Sequence, residues 1–285
     1  MLEIPKHIIE DIVERAIEED LPYGDKTTDY LSTIKDCPSK GFIKAKEKLV
    51  LAGIDVARVV FEKIDPLVSF TPMKKDGDEV DKKEVIAIVS GRASSLLKGE
   101  RIALNILSHL SGIATYVKKL TALLEGTGIK LVDTRKTLPG LRALQKYAVR
   151  IGGGYNHRFS LSDGLLIKTN HIRLVGSLKE AVEEVRRKKG PFVKIEVEVK
   201  NMEELKSAIE SKADMIMLDN MSDEEIEEAL RMIDGKADVE VSGEITEERI
   251  KRLREMKGIS YISMGSITNS VRAVDINFEL MKDEG

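Results

Sequence analysis

Residues 131–173 concentrate the side chains most suited to binding an anion. They comprise Arg135, Lys136, Arg142, Lys146, Arg150, His157, Arg158, Lys168, His171 and Arg173. After Asp133, the only acid of this stretch is Asp163, although the 285-residue chain carries a formal charge of -3. Because this excess of positive charge is local, it favours a small anionic ligand over a long polyanion such as DNA.

Carboxylates alternate with apolar residues in a second stretch, FVKIEVEVK at 192–200. Since side chains alternate between the faces of a strand, Ile195, Val197 and Val199 share one face. The other face carries Lys194, Glu196, Glu198 and Lys200. In a barrel the apolar face packs on helices, so the charged face is predicted to point inward, where charges must be paired or bound to metal.

Two later strands add acids to the same predicted mouth. Asp219 is the second-to-last residue of MIMLDN, and Glu240 lies on the same strand face as Ser242 in VEVSG. Carboxylates that converge in this way could hold Mg²⁺ together with substrate oxygens and water, although the spacing is not a metal motif. A structural network of ion pairs is the alternative interpretation.

Glycine-containing loops follow the last two predicted strands. Ser242-Gly243 ends one strand, and Gly265-Ser266 ends the next. Loops after the final strands of a barrel commonly bind phosphate through backbone N–H groups.

A βα rhythm positions these residues. From residue 129 the strands IKLVDT, GLLIKT, FVKIEVEVK, DMIMLDN, DVEVSG and YISMGS alternate with helices predicted at 139–151, 177–189, 201–211, 222–233 and 246–256. This order predicts six parallel strands in an incomplete TIM-like barrel. The preceding part reads as a helix at 3–20, short strands around a helix at 54–64, and a long helix at 94–125.

Composition limits the class of protein. Hydrophobic residues make up 42 % and charged residues 33 %, as in soluble globular proteins. No apolar run is long enough to span a membrane, and the amino-terminal segment reads as an amphipathic helix. A single cysteine, Cys37, excludes an intramolecular disulfide and favours a cytoplasmic setting.

The charged stretch also resembles a known family. DTRKTLPGLRALQKYAVRIGGG, NHR and LSDGLLIKTNH resemble quinolinate phosphoribosyltransferase, as do EED…GD.TT near the start and ERIALNILSHLSGIAT in the long helix. The resemblance covers nearly the whole chain. It implies an α/β protein with an N-terminal open-faced sandwich domain, residues 1–110 joined by the tail 270–285, and a barrel domain at 111–269.

The resemblance implies a reaction as well. Phosphoribosyl pyrophosphate and quinolinate would give nicotinate mononucleotide, CO₂ and pyrophosphate with Mg²⁺. The implied catalytic residues are Lys136, Glu198 and Asp219, and the two acids are also the implied ligands of Mg²⁺. The implied substrate-binding residues add Arg101, Arg135, His157, Arg158, Lys168, Ser242, Gly243, Gly265 and Ser266. Arg101 would come from the partner of a homodimer, from which a higher oligomer could be built.

Two departures from the family pattern stand out. Thr169 replaces an acidic residue, and Glu244 lies beside the predicted phosphate loop. The alternatives are a related molybdenum-linked phosphoribosyltransferase-like protein and a non-catalytic sensor of dicarboxylate or phosphate. Nucleic acid is disfavoured as a partner because no separate basic helix or aromatic strand surface stands apart from the pocket.

Overall fold

The computed structural model describes residues 4–283. Residues 1–3 and 284–285, which include the start of the predicted helix 3–20 and the end of the predicted tail, lie outside the described part. The helices are α1 Lys6–Asp20, α2 Lys26–Tyr30, α3 Ile54–Ile64, α4 Ala93–Leu123, α5 Arg142–Ile151, α6 Thr169–Val175, α7 Leu178–Lys188, α8 Met202–Glu210, α9 Asp223–Ile233, α10 Glu247–Leu253 and α11 Ser266–Asn269.

The strands fall into an antiparallel and a parallel group. They are β1 Pro38–Ala45, β2 Leu49–Val50, β3 Ser69–Pro72, β4 Glu79–Val80, β5 Val85–Arg92, β6 Lys130–Val132, β7 Leu165–Ile167, β8 Ile195–Val199, β9 Met215–Asp219, β10 Asp238–Ser242, β11 Tyr261–Ser263 and β12 Ile276–Lys282. Together they form an α/β fold with an N-terminal sheet and a TIM-like parallel barrel, which confirms the predicted fold class.

The chain forms two compact units that interleave in sequence. The first contains residues up to 118, 137–153 and those from 267 onward, and the second contains 119–136 and 154–266. These units follow spatial proximity. The predicted domains, residues 1–110 with the tail 270–285 and residues 111–269, stay a prediction.

The first unit is built on a four-stranded sheet in the order β12-β1-β5-β3. Three aromatic side chains pack together in its core. The ring centroid of Phe61 lies 6.0 Å from that of Phe70 and 6.1 Å from that of Phe278. Gly41 of β1 lies under Phe278, because a Cβ there would come within 2.0 Å of the ring. The carboxy-terminal strand therefore completes this core.

The second unit contains six parallel strands in the order β6-β11-β10-β9-β8-β7. The two edge strands of this ladder are β6 and β7, and Tyr155 adds a single parallel bridge to Val132 of β6. All six strands predicted from the βα rhythm are present, and the barrel is incomplete as expected.

Helices α7, α8, α9 and α10 begin where the sequence provides caps. Their N-cap residues are Ser177, Asn201, Ser222 and Thr246, and each side chain accepts a backbone N–H from the first turn. The predicted helices start at these cap residues because Ser, Asn and Thr satisfy the free N–H groups of a helix start.

Three features differ from the predictions. Lys194 and Lys200 lie beyond the ends of β8, and their side chains are 62 % and 47 % exposed rather than directed into the barrel. Helix α2 is absent from the predicted elements, and Asp25 caps it by accepting the Thr28 N–H at 3.1 Å. Lys146, one of the cations of residues 131–173, is buried in α5. No helix within residues 4–283 is long and apolar enough to cross a membrane.

Asp65, at the end of α3, provides a test of stability in the first unit. Its buried carboxylate accepts hydrogen bonds from Ser95 Oγ at 2.7 Å, Arg92 Nη2 at 2.8 Å and the Leu67 N–H at 3.0 Å. The bonds from Ser95 and Arg92 lower the pKa of Asp65 from 3.8 to about 2. The ionised carboxylate therefore stabilises the fold above pH 4, and this contribution is lost as the pH falls toward 2.

We expect Asp65→Asn to lower the free energy of unfolding at pH 7 by about 1–3 kcal/mol, because it removes charge-assisted hydrogen bonds. The loss should shrink as denaturation is repeated between pH 4 and pH 2. Asp36→Asn is the matched control, since Asp36 is exposed and lies 3.8 Å from the same Arg92. Equal effects of the two substitutions would contradict this account.

Candidate active site

The carboxyl ends of the parallel strands surround a cavity of 650 Å³ in the second unit. Its lining consists of Thr134, Arg135, Lys136, His157, Arg158, Leu166, Lys168, Glu198, Met217, Asp219, Asn220, Glu240, Ser242, Gly243, Glu244 and Ser263. Every strand of the sheet contributes directly or through the residues that follow it. This is the edge at which parallel α/β folds bind ligands.

Glu198 is a buried acid at this edge. Its side chain is 8 % exposed, Lys168 Nζ donates to it at 2.5 Å, and Thr169 Oγ1 donates at 3.1 Å. Burial by itself raises the pKa of Glu198, but the Lys168 and Thr169 hydrogen bonds outweigh burial and lower it. The side chain is therefore a carboxylate at neutral pH.

Asp219 lies at the end of the neighbouring strand β9. Its side chain is 17 % exposed, and Lys200 Nζ lies 3.8 Å from it. Glu198 and Asp219 thus present two carboxylates to one pocket, each with a lysine nearby.

Arg135, Lys136 and Arg158 supply positive charge to the same pocket. Arg158 Nη1 donates to the Gly164 carbonyl at 3.0 Å, which fixes its direction. Burial and the adjacent positive charge of Arg135 both lower the pKa of Arg158. Two guanidinium groups that disfavour each other's charge are stabilised when an anion binds between them.

Two buried acids lie against the ring of His157. Its Nε2 lies 3.0 Å from Glu196 Oε2 and 3.4 Å from Glu240 Oε2. Both glutamates are at most 5 % exposed, and each has a second oxygen without a hydrogen-bond partner among the described residues. Burial by itself lowers the pKa of His157, but hydrogen bonds and charge from these glutamates outweigh burial and raise it.

The other ring nitrogen of His157 accepts a backbone hydrogen bond. The backbone N–H of Arg158 donates to Nδ1 at 2.7 Å, and a nitrogen that accepts this bond carries no hydrogen. A proton on Nε2 would face the two carboxylates. The potential ligand atoms of His157, Glu196 and Glu240 lie within 4.8 Å of one another, which is the spacing of a metal-binding group.

The Ser242-Gly243 loop interlocks with the residues after β9. The Asn220 N–H donates to the Ser242 carbonyl at 3.0 Å. A Cβ at Gly243 would lie 2.2 Å from Asn220 Oδ1, and Gly243 has φ +92°. Only glycine fits there, both because of the left-handed backbone and because of the close approach of Asn220.

Gly265 has a similar relation to Lys136. A Cβ at Gly265 would lie 2.7 Å from Lys136 Cδ, so the lysine side chain runs directly over this glycine. The glycine therefore leaves room for the Lys136 chain on its way to the pocket.

Nine of the predicted site residues line the cavity together: Arg135, Lys136, His157, Arg158, Lys168, Glu198, Asp219, Ser242 and Gly243. Gly265 packs on Lys136, and Ser266 begins α11. Arg101 is exposed on α4 in the first unit. The roles of these residues in binding and catalysis stay predictions.

The lining also contains residues absent from the predicted site. Thr134, Asn220, Glu244 and Ser263 line the cavity, and Glu196 and Glu240 hold His157. Asn220 directly follows Asp219, so its position at a strand end was a usable signal. The contact of His157 with Glu196 joins residues that are distant in sequence, which strand parity alone does not predict.

An incomplete α/β barrel with a polar, cation-lined pocket at the carboxyl ends of its strands is typical of enzymes that bind phosphate esters. Residues 25–111 match the family "Quinolinate phosphoribosyl transferase, N-terminal domain", and residues 113–279 match "Quinolinate phosphoribosyl transferase, C-terminal domain". The chain belongs to the quinolinate phosphoribosyl transferase family.

Individual relatives agree over almost the full length. The chain is 42 % identical to a probable nicotinate-nucleotide pyrophosphorylase [carboxylating] of Bacillus subtilis, over 92 % of this chain and 90 % of that protein. A protein of the same name from Methanocaldococcus jannaschii is also 42 % identical, over 95 % and 96 % of the two chains. The crystal structure of NadC from Streptococcus pyogenes superposes with a TM-score of 0.93 at 39 % identity and covers 100 % of both chains.

We expect Gly243→Ala to weaken binding of inorganic pyrophosphate by about tenfold or more, because a Cβ displaces Asn220 and distorts the loop. Titration calorimetry measures this affinity. Gly235→Ala is the matched control: Gly235 has φ +72°, but no heavy atom lies within 4 Å of the position that a Cβ would take there. Both substitutions strain the backbone, so a similar loss of binding in both would contradict the proposed close approach.

Proposed function

We propose that this chain transfers the 5-phosphoribosyl group of phosphoribosyl pyrophosphate to quinolinate and releases pyrophosphate and CO₂, in the biosynthesis of NAD. Family membership supports the reaction class. The observation that carries the proposal is one pocket in which Arg135 and Arg158 lie beside the acids Glu198 and Asp219. This arrangement suits a dianionic acceptor on one side and a phosphorylated sugar on the other.

Quinolinate carries two adjacent carboxylates on a pyridine ring. Guanidinium groups bind carboxylates through paired N–H donors, and Arg135 and Arg158 supply two such groups. The ring of His157 would contact quinolinate from one side of the pocket, and Glu196 and Glu240 orient this ring. We assign the clamp to Arg135, His157, Arg158 and Lys168, with Arg101 from a partner subunit.

The sugar transfer forms a bond between the pyridine nitrogen and the anomeric carbon of the ribose. The bond from that carbon to pyrophosphate breaks, and the pyrophosphate oxygen takes the electron pair. Positive charge develops on the ribose as this bond lengthens, and carboxylates at Glu198 and Asp219 stabilise it. Lys136 offsets the negative charge of the departing pyrophosphate.

Decarboxylation follows on the ribosylated ring. The bond between C2 and its carboxylate breaks, CO₂ leaves, and the electron pair remains at C2 beside the positively charged ring nitrogen. A proton from solvent then completes nicotinate mononucleotide. The chain needs only to hold the ring, because the pyridinium itself stabilises the electron pair.

We propose that Glu198 and Asp219 also hold Mg²⁺. Both carboxylates line the same pocket, and such oxygen ligands suit this ion together with phosphate oxygens and water. The bound ion would supply positive charge to the pyrophosphate. Lys168 lies near Glu198 and Lys200 lies near Asp219, and both lysine ammonium groups would move partly away from these carboxylates when the ion binds.

Turnover should therefore require Mg²⁺ or Mn²⁺ and stop in excess chelator. Asp219→Asn should raise the Mg²⁺ concentration needed for half-maximal rate by about tenfold, because it removes one charged ligand. Asp238→Asn is the control, since Asp238 starts the neighbouring strand and pairs with Lys194 at 2.8 Å. Full activity in excess chelator would contradict the proposed role of Mg²⁺.

The central test compares two acceptors with phosphoribosyl pyrophosphate. Quinolinate should be used at least about 10³-fold better than nicotinate in kcat/KM, because nicotinate lacks one carboxylate and leaves a guanidinium group unpaired. Product formation is followed by chromatography and by release of CO₂. Equal or better use of nicotinate would overturn the assignment.

Other outcomes identify the alternatives. Binding of quinolinate or phosphate without turnover would favour a sensor. A chain that uses neither acceptor would favour the related molybdenum-linked protein. The motifs IKTNH and IEVEV support the quinolinate enzyme instead.

We further propose a homodimer, or a higher oligomer built from dimers, in which Arg101 completes the pocket of the partner subunit. Support comes from the family resemblance of the ERIALNILSHLSGIAT segment and from the exposure of Arg101. A cytoplasmic setting is proposed from the single cysteine, which favours a reducing compartment.

Complementation tests the shared pocket. Arg101→Ala and Lys136→Ala should each be nearly inactive alone. After random subunit exchange, about half of the dimers are heterodimers, and each heterodimer has one intact site of two. Activity should therefore return to about one quarter of wild type. If heterodimers form without activity, Arg101 does not act in the partner's site.

A further inference from the structure

Arg249 on α10 joins two of the pocket loops. Its side chain is 12 % exposed, and all three guanidinium nitrogens are used. Nε donates to Asp223 Oδ1 at 3.1 Å, Nη1 to the Gly243 carbonyl at 2.9 Å and Nη2 to the Met221 carbonyl at 2.5 Å. One largely enclosed cation therefore binds both the loop after β9 and the loop after β10.

These two loops form one side of the cavity. Asn220 belongs to the first, Gly243 and Glu244 belong to the second, and Asp219 and Ser242 are the strand ends from which these loops start. Arg249 is not among the residues that line the cavity. It contacts the two loops through the carbonyls of Met221 and Gly243. It acts on the pocket only through the shape of these loops.

The loops adopt conformations that need support. Asn220 has φ +57° and Glu244 has φ +47°, which are left-handed values that side chains other than glycine rarely adopt. Such conformations persist when surrounding contacts fix them. The bonds from Arg249 to carbonyls beside both residues provide this fixation.

The bond to Gly243 also orients a donor. In a trans peptide the C=O and the following N–H point in opposite directions. Because the Gly243 carbonyl points to Arg249, the Glu244 N–H points away from it. A backbone N–H held in this way suits an oxyanion.

We infer that Arg249 is a positioning residue for the phosphate side of the pocket, and that it sets affinity for phosphoribosyl pyrophosphate without affecting quinolinate. The inference rests on the proposed function for the identity of the two ligands. It assigns the loops after β9 and β10 to the phosphorylated substrate, and it makes α10 their support.

The test measures the two affinities separately in Arg249→Met. Calorimetry with inorganic pyrophosphate, and with quinolinate in a second titration, gives one Kd for each ligand. We expect the pyrophosphate Kd to rise about tenfold or more, because preorganisation of the loop is lost, while the quinolinate Kd changes less than about twofold. In steady state, KM for phosphoribosyl pyrophosphate should rise more than KM for quinolinate.

Arg252→Met is the matched control. Arg252 donates to Asp223 Oδ2 at 2.6 Å from the same helix, and its side chain is 59 % exposed. This bond holds Asp223, whereas the loop carbonyls of Met221 and Gly243 accept from Arg249. The variant should keep both Kd values within about twofold, because an exposed ion pair contributes little.

A rescue experiment separates positioning from folding. In Arg249→Ala, guanidinium at millimolar concentration should restore part of the pyrophosphate affinity, whereas sodium chloride at equal ionic strength should not. Thermal unfolding checks that each variant is folded under the assay conditions. Rescue shows that the missing group is the guanidinium at this position.

Several results would overturn the inference. Unchanged pyrophosphate affinity in Arg249→Met would do so, as would an equal loss for both ligands or an equal loss in Arg252→Met. If the wild-type chain binds pyrophosphate but does not turn over quinolinate, the proposed function fails while the Arg249 result still stands. If the wild-type chain binds no pyrophosphate, both fail.

Discussion

Carboxylates inside a parallel barrel impose the main constraint on this structure. Glu196 and Glu198 of β8 are both buried, and an unpaired charge there would cost several kcal/mol. Glu198 is stabilised by Lys168 and Thr169, and Glu196 lies against His157 with Glu240. The acids therefore determine where the surrounding cations must lie, and the pocket is built around these pairs.

The same constraint separates two regions of the barrel interior. The 650 Å³ cavity opens at the carboxyl ends of the strands, and a cavity of 360 Å³ at their amino ends is lined by Lys194, Met215 and Tyr261. His157 and Glu240 line both cavities, so the cluster of His157, Glu196 and Glu240 lies between them. A ligand at the carboxyl ends therefore meets this cluster.

Local sequence was sufficient for most of the elements. Helices of the barrel begin at Ser177, Asn201, Ser222 and Thr246 because these caps act within one turn of chain. Strand parity identified Glu198 as inward, since alternation is a local property. It failed for Lys194 and Lys200, because β8 spans only Ile195–Val199 between them and flexible lysine chains beyond its ends reach solvent.

The sequence by itself determined the α/β class, the six parallel strands, and the cations and acids that follow them, because periodicity and caps depend on neighbouring residues. Tertiary structure alone decided which of these residues meet. His157 contacts Glu196 and Glu240 across the barrel, and Arg249 reaches the carbonyls of two loops. Such contacts depend on strand order and on the direction of side chains in space. Residues distant in sequence make them only when the whole sheet has formed.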